Sequence, residues 1–275
     1  MANLTPNLFC TLMCKLAIGI SLTGCSESTV NSDDVPTRDT HANFQVTAGS
    51  SGDTYVNVEL KLDGPASNTS IELSHNDQLW ISNTPSFTTE LDSDNLFSQL
   101  NHMATNSRNL DRGGVFRYGF LGFRIYGDTW YSSLITDSGD STYYLSFVRE
   151  NFENAHNSQV TLPPVFAISA PLPNESHSRS NPLTINWQSD DTAMPVSISV
   201  FTTCIDESYD EFDVQNIQDA GSYTLAAEDF TPDATGTCNT SIEVVKSQLG
   251  QIDPLFNSGL VVGNRVAKVT IITND

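Results

Sequence analysis

Apolar and polar residues alternate with a period of two along most of the chain. In residues 54–62, Val56, Val58, Leu60 and Leu62 fall on one side and Tyr55, Asn57, Glu59 and Lys61 on the other. Residues 142–148 set Tyr143, Leu145 and Phe147 opposite Tyr144, Ser146 and Val148. Val196, Ile198 and Val200 repeat the pattern, as do Ala267, Val269 and Ile271 near the C-terminus. Such alternation marks half-buried antiparallel strands. Turn clusters such as Leu62-Asp63-Gly64-Pro65 and Asp137-Ser138-Gly139-Asp140 separate the runs. The pattern predicts an all-β fold of antiparallel sandwiches. One stretch departs from it: Leu96, Phe97, Leu100, Met103 and Ala104 have helical spacing after Asp92-Ser93-Asp94, predicting a short helix.

A length of 275 residues suits two such sandwiches in tandem. The polar stretch 150–164 ends in Pro163-Pro164 and supplies the break. The expected layout is a signal peptide over 1–24 and a lipidated N-terminus and flexible tether over 25–42. A first sandwich over 43–155, a linker over 156–164 and a second sandwich over 165–275 follow. The tether prediction rests on residues 26–42 being polar and too poor in aliphatic groups to offset their ordering entropy.

Near the N-terminus, Lys15 precedes the apolar run Leu16 to Leu22, which ends in Thr23-Gly24-Cys25. A positive flank, a short apolar segment and a small-residue cleavage point describe an export signal. Leu22-Thr23-Gly24-Cys25 resembles the bacterial lipobox. That resemblance implies a diacylglyceryl thioether on Cys25 and cleavage before it. Ser26, standing where Asp would signal inner-membrane retention, implies outer-membrane sorting in a Gram-negative cell. With Cys10 and Cys14 in the signal and Cys25 lipidated, Cys204 and Cys238 remain as a pair. In an exported chain they are expected to form a disulfide.

In the second half, Leu183-Thr184-Ile185-Asn186-Trp187 places a Trp on an early strand. Asp219-Ala220-Gly221-Ser222-Tyr223 resembles the tyrosine corner of immunoglobulin-like domains, which implies that fold for residues 165–275. Leu225 stands where antibody-type domains place Cys, so the strand order is left open. A broader resemblance rests on Ile71-Glu72-Leu73 before Asp77-Gln78-Leu79, on Ser158-Gln159-Val160-Thr161-Leu162-Pro163, and on Leu249-Gly250-Gln251-Ile252-Asp253-Pro254 with Phe256. These segments look like a group of uncharacterised proteobacterial exported proteins with immunoglobulin-like or fibronectin type III-like sandwiches. The resemblance implies no activity.

Lys and Arg total 12 against 33 Asp and Glu, a net charge of -21. That balance argues against nucleic acid or an anionic lipid surface as partner. The five histidines show no metal-binding spacing, and His41, His156 and His177 are expected as solvated surface groups. No nucleophile elbow or phosphate loop occurs. Asp206, Asp210 and Asp213, in an acidic run, are the candidate calcium ligands, because calcium takes six to eight oxygens. No other cofactor is expected. Between residues 108 and 131 arginines interleave with aromatics, and Arg117, Tyr118, Arg124, Tyr126 and Trp130 form a candidate ligand-binding face. The competing expectation is a hairpin whose aromatics fill the core.

The function expected from these features is a non-enzymatic binding or scaffold protein on the cell envelope. It would touch the membrane through its lipid anchor only, with a glycan or an envelope protein as partner. The alternative is a carbohydrate-active envelope hydrolase, or its calcium-dependent accessory module.

Overall fold

The computed structural model describes residues 28–49, 53–74, 76–83, 107–109, 111–113, 119–120, 123–124, 130–136, 142–189, 194–205, 209–230 and 236–275. In chain order the strands are β1 (Ser28–Asn31), β2 (Thr40–Ala48), β3 (Asp53–Leu62), β4 (Thr69–Glu72), β5 (Gln78–Ser82), β6 (Ser107–Asn109) and β7 (Asp111–Gly113). Next come β8 (Gly119–Phe120), β9 (Phe123–Arg124), β10 (Trp130–Thr136), β11 (Thr142–Val148), β12 (Ala155–Thr161), β13 (Ile168–Ala170) and β14 (Ser176–Ser178). The last are β15 (Leu183–Trp187), β16 (Pro195–Cys204), β17 (Tyr209–Gln218), β18 (Ser222–Leu225), β19 (Cys238–Leu249) and β20 (Ser258–Asn274). The fold is all-β, as the alternation predicts. No α-helix occurs among the described residues, and the helix expected near 96–104 lies outside them.

One long sheet, ordered β1-β4-β3-β2-β20-β19-β16-β17, backs the whole molecule. Two smaller sheets, β12-β11-β5-β6 and β13-β15-β18, provide the opposing layers. The first core buries Phe44, Val58 and Leu60 of the long sheet against Leu79, Leu145 and Phe147 of the first small one. The second buries Ile198, Val244 and Ile271 against Leu183, Ile185 and Trp187. Each such side chain contributes roughly 1.5–3 kcal/mol when fully buried. Val58, Leu60, Leu145, Phe147, Ile198 and Ile271 are among the residues that the period-two pattern sets together on one side.

The strand that joins the two cores is β20. Its 17 residues span roughly 56 Å at about 3.3 Å per residue. From Ser258 to Arg265 it pairs in parallel with β2, and from Val262 to Thr273 antiparallel with β19. Val261 accordingly belongs to the first core, and Ala267, Val269 and Ile271 to the second. Phe256, just before β20, also enters the first core, stacking on Phe147 at 6.2 Å and meeting Phe44 edge-on at 5.8 Å. Gly263 permits the first small sheet to close on this strand: a Cβ there would lie 2.8 Å from Val160 Cγ2.

Two expected connectors are built structure instead. Residues 156–161, expected in a linker, are strand β12, paired with β11. Residues 28–42, expected in a flexible tether, carry β1 in parallel with β4 and then bury Ser32, Val35 and Thr37. Beside the burial of Val35 in the first core, hydrogen bonding to Arg149 holds this segment. The buried guanidinium donates to the carbonyls of Ser32 (2.5 Å) and Val35 (3.0 Å), to Thr37 Oγ1 (3.1 Å) and to Asp77 Oδ2 (2.6 Å). Reading the segment by hydrophobicity alone misses a cation that satisfies its carbonyls.

Polar groups also fill the junction between the cores. Lys246 of β19 and Arg265 of β20 stand directly opposite each other, and both are buried. Lys246 Nζ lies 2.8 Å from Asp219 Oδ2, donates to the Gln188 carbonyl at 2.8 Å, and sits 4.8 Å from the Phe166 ring centroid. Asp219 Oδ1 accepts from Trp187 Nε1 at 2.7 Å. Arg265 Nε donates to the Pro163 carbonyl at 3.1 Å. The corner sought through Tyr223 is thus held by Asp219, while Tyr223 packs half-buried beside the second core. At the far end of the same sheet, Cys204 and Cys238 oppose each other on β16 and β19 and are bonded, S–S 2.03 Å. Arg179 Nη1 donates to Cys238 Sγ at 3.0 Å.

Asp219→Ala leaves the Lys246 ammonium buried without its counter-charge, and is expected to cost about 3–5 kcal/mol of unfolding free energy. Asp219→Leu combined with Lys246→Met should recover a good part of that in urea unfolding. A double variant as unstable as the single one would refute the charge-pairing account. Removing the disulfide by Cys204→Ser and Cys238→Ser frees a 34-residue separation. A loss of about 3–4 kcal/mol is expected in the same assay on the chain-entropy model.

Candidate functional site

Where β12 meets the turn after β19, an open groove of ≈ 330 Å³ is lined by Tyr144, Asn157, Gln159, Gln251 and Pro254. Strand pairing sets Tyr144, Gln159 and Gln251. Tyr144 and Gln159 oppose each other on β11 and β12, on the face away from the core residues Tyr143 and Val160. Gln251 is brought in by an isolated bridge: the Gln159 amide donates to the Gln251 carbonyl at 2.8 Å, and the Gln251 amide donates to the Gln159 carbonyl at 2.7 Å. Gly250 makes this approach feasible, since a Cβ there would run into the Gln159 carbonyl.

The floor of the groove is fixed by Asp253, which is fully buried. Its Oδ2 accepts from the Asn157 backbone amide at 2.7 Å and from Asn157 Nδ2 at 3.0 Å. Its Oδ1 accepts from the Leu255 amide at 2.9 Å, and its own amide donates to Ser158 Oγ at 3.0 Å. Asp253 is therefore a structural carboxylate whose bonds aim the Asn157 side chain. Gln159 Nε2 donates to Gln251 Oε1 at 3.3 Å and orients both side-chain amides.

The residues singled out from the sequence fare unevenly. Cys25, Arg117, Tyr118, Tyr126 and Asp206 lie outside the described residues, while Arg124 and Trp130 are placed only as backbone of β9 and β10. Asp210 and Asp213 are both on β17, three residues apart with no bulge between them. Alternation puts them on opposite faces: Asp213 is exposed, whereas Asp210 shares the side of Phe212 and Val214, which pack on the second core. This pair cannot hold one calcium ion. No group of three His, Cys, Asp or Glu gathers among the described residues. His41 is buried in β2, and its Nδ1 is 2.7 Å from Ser258 Oγ, contrary to the expectation of a solvated tether group. The groove was not anticipated as a site, although the outward position of Tyr144 is plain in the alternation. Its other wall, Gln251 and Pro254, is more than ninety residues away in sequence.

No family model and no curated protein matches the chain. Among solved structures it is similar to the FN1-FN3 domains of chicken CNTN1, with 11% identity over 88% of this chain and 68% of that one, at a TM-score of 0.28. The fibronectin(III)-like modules of Clostridium thermocellum CbhA show 13% identity over 84% and 91%, at 0.19. A two-domain fibronectin type-III segment of chicken tenascin shows 12% over 82% and 98%, also at 0.19. Scores this low carry no argument, and the class assigned here, a two-core all-β sandwich protein, stands on the strands and cores themselves.

Burial pushes the His41 and His156 imidazoles below the ordinary value of 6.5; Asn43 and Glu59 offset this in part for His41, and Asp253 for His156. The unfolded chain then binds protons before the folded one. The associated stability is present above about pH 6.5 and is lost as pH falls toward the lowered folded-state values. The urea midpoint is expected to drop between about pH 7 and pH 5.5, and His41→Gln with His156→Gln should flatten that part of the profile. An unchanged slope in the double variant would assign the effect to carboxylates.

Proposed function

We propose that the chain is a lipid-anchored protein of the bacterial cell envelope, with a non-enzymatic binding role centred on the Tyr144–Gln251 groove. The observation that carries the binding reading is the groove's construction. Its side chains are held in place by Asp253 and by each other, yet they remain at the surface. A hydrolase that uses two carboxylates needs them facing one another across a cleft, about 5–9.5 Å apart. Among the described residues at the groove the one carboxylate is Asp253, and its oxygens are occupied by chain amides.

The anchor reading rests on Leu22-Thr23-Gly24-Cys25. Strand β1 begins at Ser28, so only Ser26 and Glu27 stand between Cys25 and the folded body, a reach of at most about 11 Å. An acylated Cys25 would hold the first sandwich against the membrane surface, where a long tether would have let it roam. Sorting to the outer membrane, from Ser26, belongs to the same proposal.

Replacing Cys25 with Ser is expected to move the protein from the membrane fraction to the soluble fraction. It should also remove the diacylglyceryl and acyl mass from its N-terminal peptide. Equal membrane retention of both forms, with no lipid mass on the wild-type peptide, would refute the anchor.

A further inference from the structure

The side chains of the groove specify a class of ligand. Strands β5, β11 and β12 contain no Asp, Glu, Lys or Arg, in a chain of which 16% of residues are charged and whose net charge is -21. Gln251 and Pro254 extend this uncharged surface from the other wall. An anionic ligand finds no cation there and meets the repulsion of the whole molecule. A cationic one finds no free carboxylate, because Asp253 is enclosed by its own hydrogen bonds.

The hydrogen-bonding capacity left over is specific. Asn157 uses its amide nitrogen on Asp253, which leaves Oδ1 as an acceptor. The Gln159–Gln251 bond occupies one Nε2 and one Oε1, leaving Gln159 Oε1 to accept and Gln251 Nε2 to donate. Tyr144 adds a half-buried ring and a hydroxyl, and Pro254 an apolar edge. A purely apolar ligand would desolvate these groups without replacing their bonds to water. A ligand whose own groups both donate and accept, and which has an apolar ring face, would satisfy them.

We infer that the groove binds a neutral polysaccharide, a short length of which lies across the Tyr144 ring with its hydroxyls on Asn157, Gln159 and Gln251. This deepens the binding reading above and rests on it. The volume lies at the small end of ligand sites, which run to about 300–1,000 Å³. Its open walls suit a segment within a chain.

The test is affinity electrophoresis of the full protein through gels containing dextran, laminarin, galactomannan or soluble starch, with alginate as the anionic control. At least one neutral polymer is expected to retard migration, and Tyr144→Ala and Gln251→Ala should each weaken that retardation at least tenfold. Thr161→Ala, on the exposed far end of β12, should leave it unchanged and serves as the folding control. Retardation by no neutral polymer, or equal retardation of the Tyr144 and Gln251 variants, overturns the glycan assignment. In that case a photo-crosslinking residue at Thr161, in cells, separates the two levels. Capture of an envelope protein keeps the binding reading with a polypeptide ligand, and no capture removes both.

Discussion

The continuity of β20 is the constraint on which the rest of the structure depends. A strand that pairs with β2 over its first half and with β19 from Val262 to Thr273 cannot belong to one sandwich alone. Because its side chains alternate in register along the whole length, Val261 and Ala267 face the same side of the sheet. Both small sheets must therefore stack on that one side, and the cores come end to end. Between two apolar cores sharing one backing sheet, the opposed positions 246 and 265 have neither core to fill. Lys and Arg stand there, each with carbonyl or carboxylate partners drawn from the loops that cross the junction. The junction is polar because it is where the backbones of Gln188 and Pro163 leave their own sheets and present carbonyls to the interior.

The scarcity of cations takes on a different meaning in the fold. Arg149, Arg179, Lys246 and Arg265 are buried, and each satisfies carbonyls, a carboxylate or sulfur that would otherwise be stranded. Four carboxylates, Glu59, Asp77, Asp219 and Asp253, are buried as well, so among the described residues the buried charges cancel and the exterior keeps the acidity of the whole chain. Against such a surface, an uncharged groove is a local exception. The face around Tyr144 is also where the close approach at Gly250 presses two distant segments together.

Much of the fold is legible in the sequence for a simple reason. Period-two alternation is a local signal, and in a half-buried strand it maps directly onto inside and outside. Val56, Val58 and Leu60, or Val196, Ile198 and Val200, could be placed before any coordinate was known. What alternation cannot report is which strands become neighbours. Residues 28–42 look incapable of order because a partner that holds them, Arg149, lies more than a hundred residues away. Asp210 and Asp213 look like one cluster in a linear run, and only the strand register separates them. The disulfide is the exception among long-range contacts, since cysteine arithmetic leaves a single pair to join.

The groove shows the same limit from the other side. Ser158-Gln159-Val160-Thr161 is expected in a linker, and Leu249-Gly250-Gln251-Ile252-Asp253-Pro254 shows no chemistry of its own in the sequence. Their chemistry appears only when Gln159 and Gln251 exchange backbone hydrogen bonds, because that contact turns two ordinary amides into a matched donor and acceptor. The same contact requires Gly250, and it presents the Asp253 carboxylate to Asn157. Position in the fold thus converts residues of low individual information into a defined surface. Asp253 contributes to that surface by being buried: were its carboxylate exposed, the groove would carry the charge of the rest of the molecule and lose the neutrality that sets its ligand class.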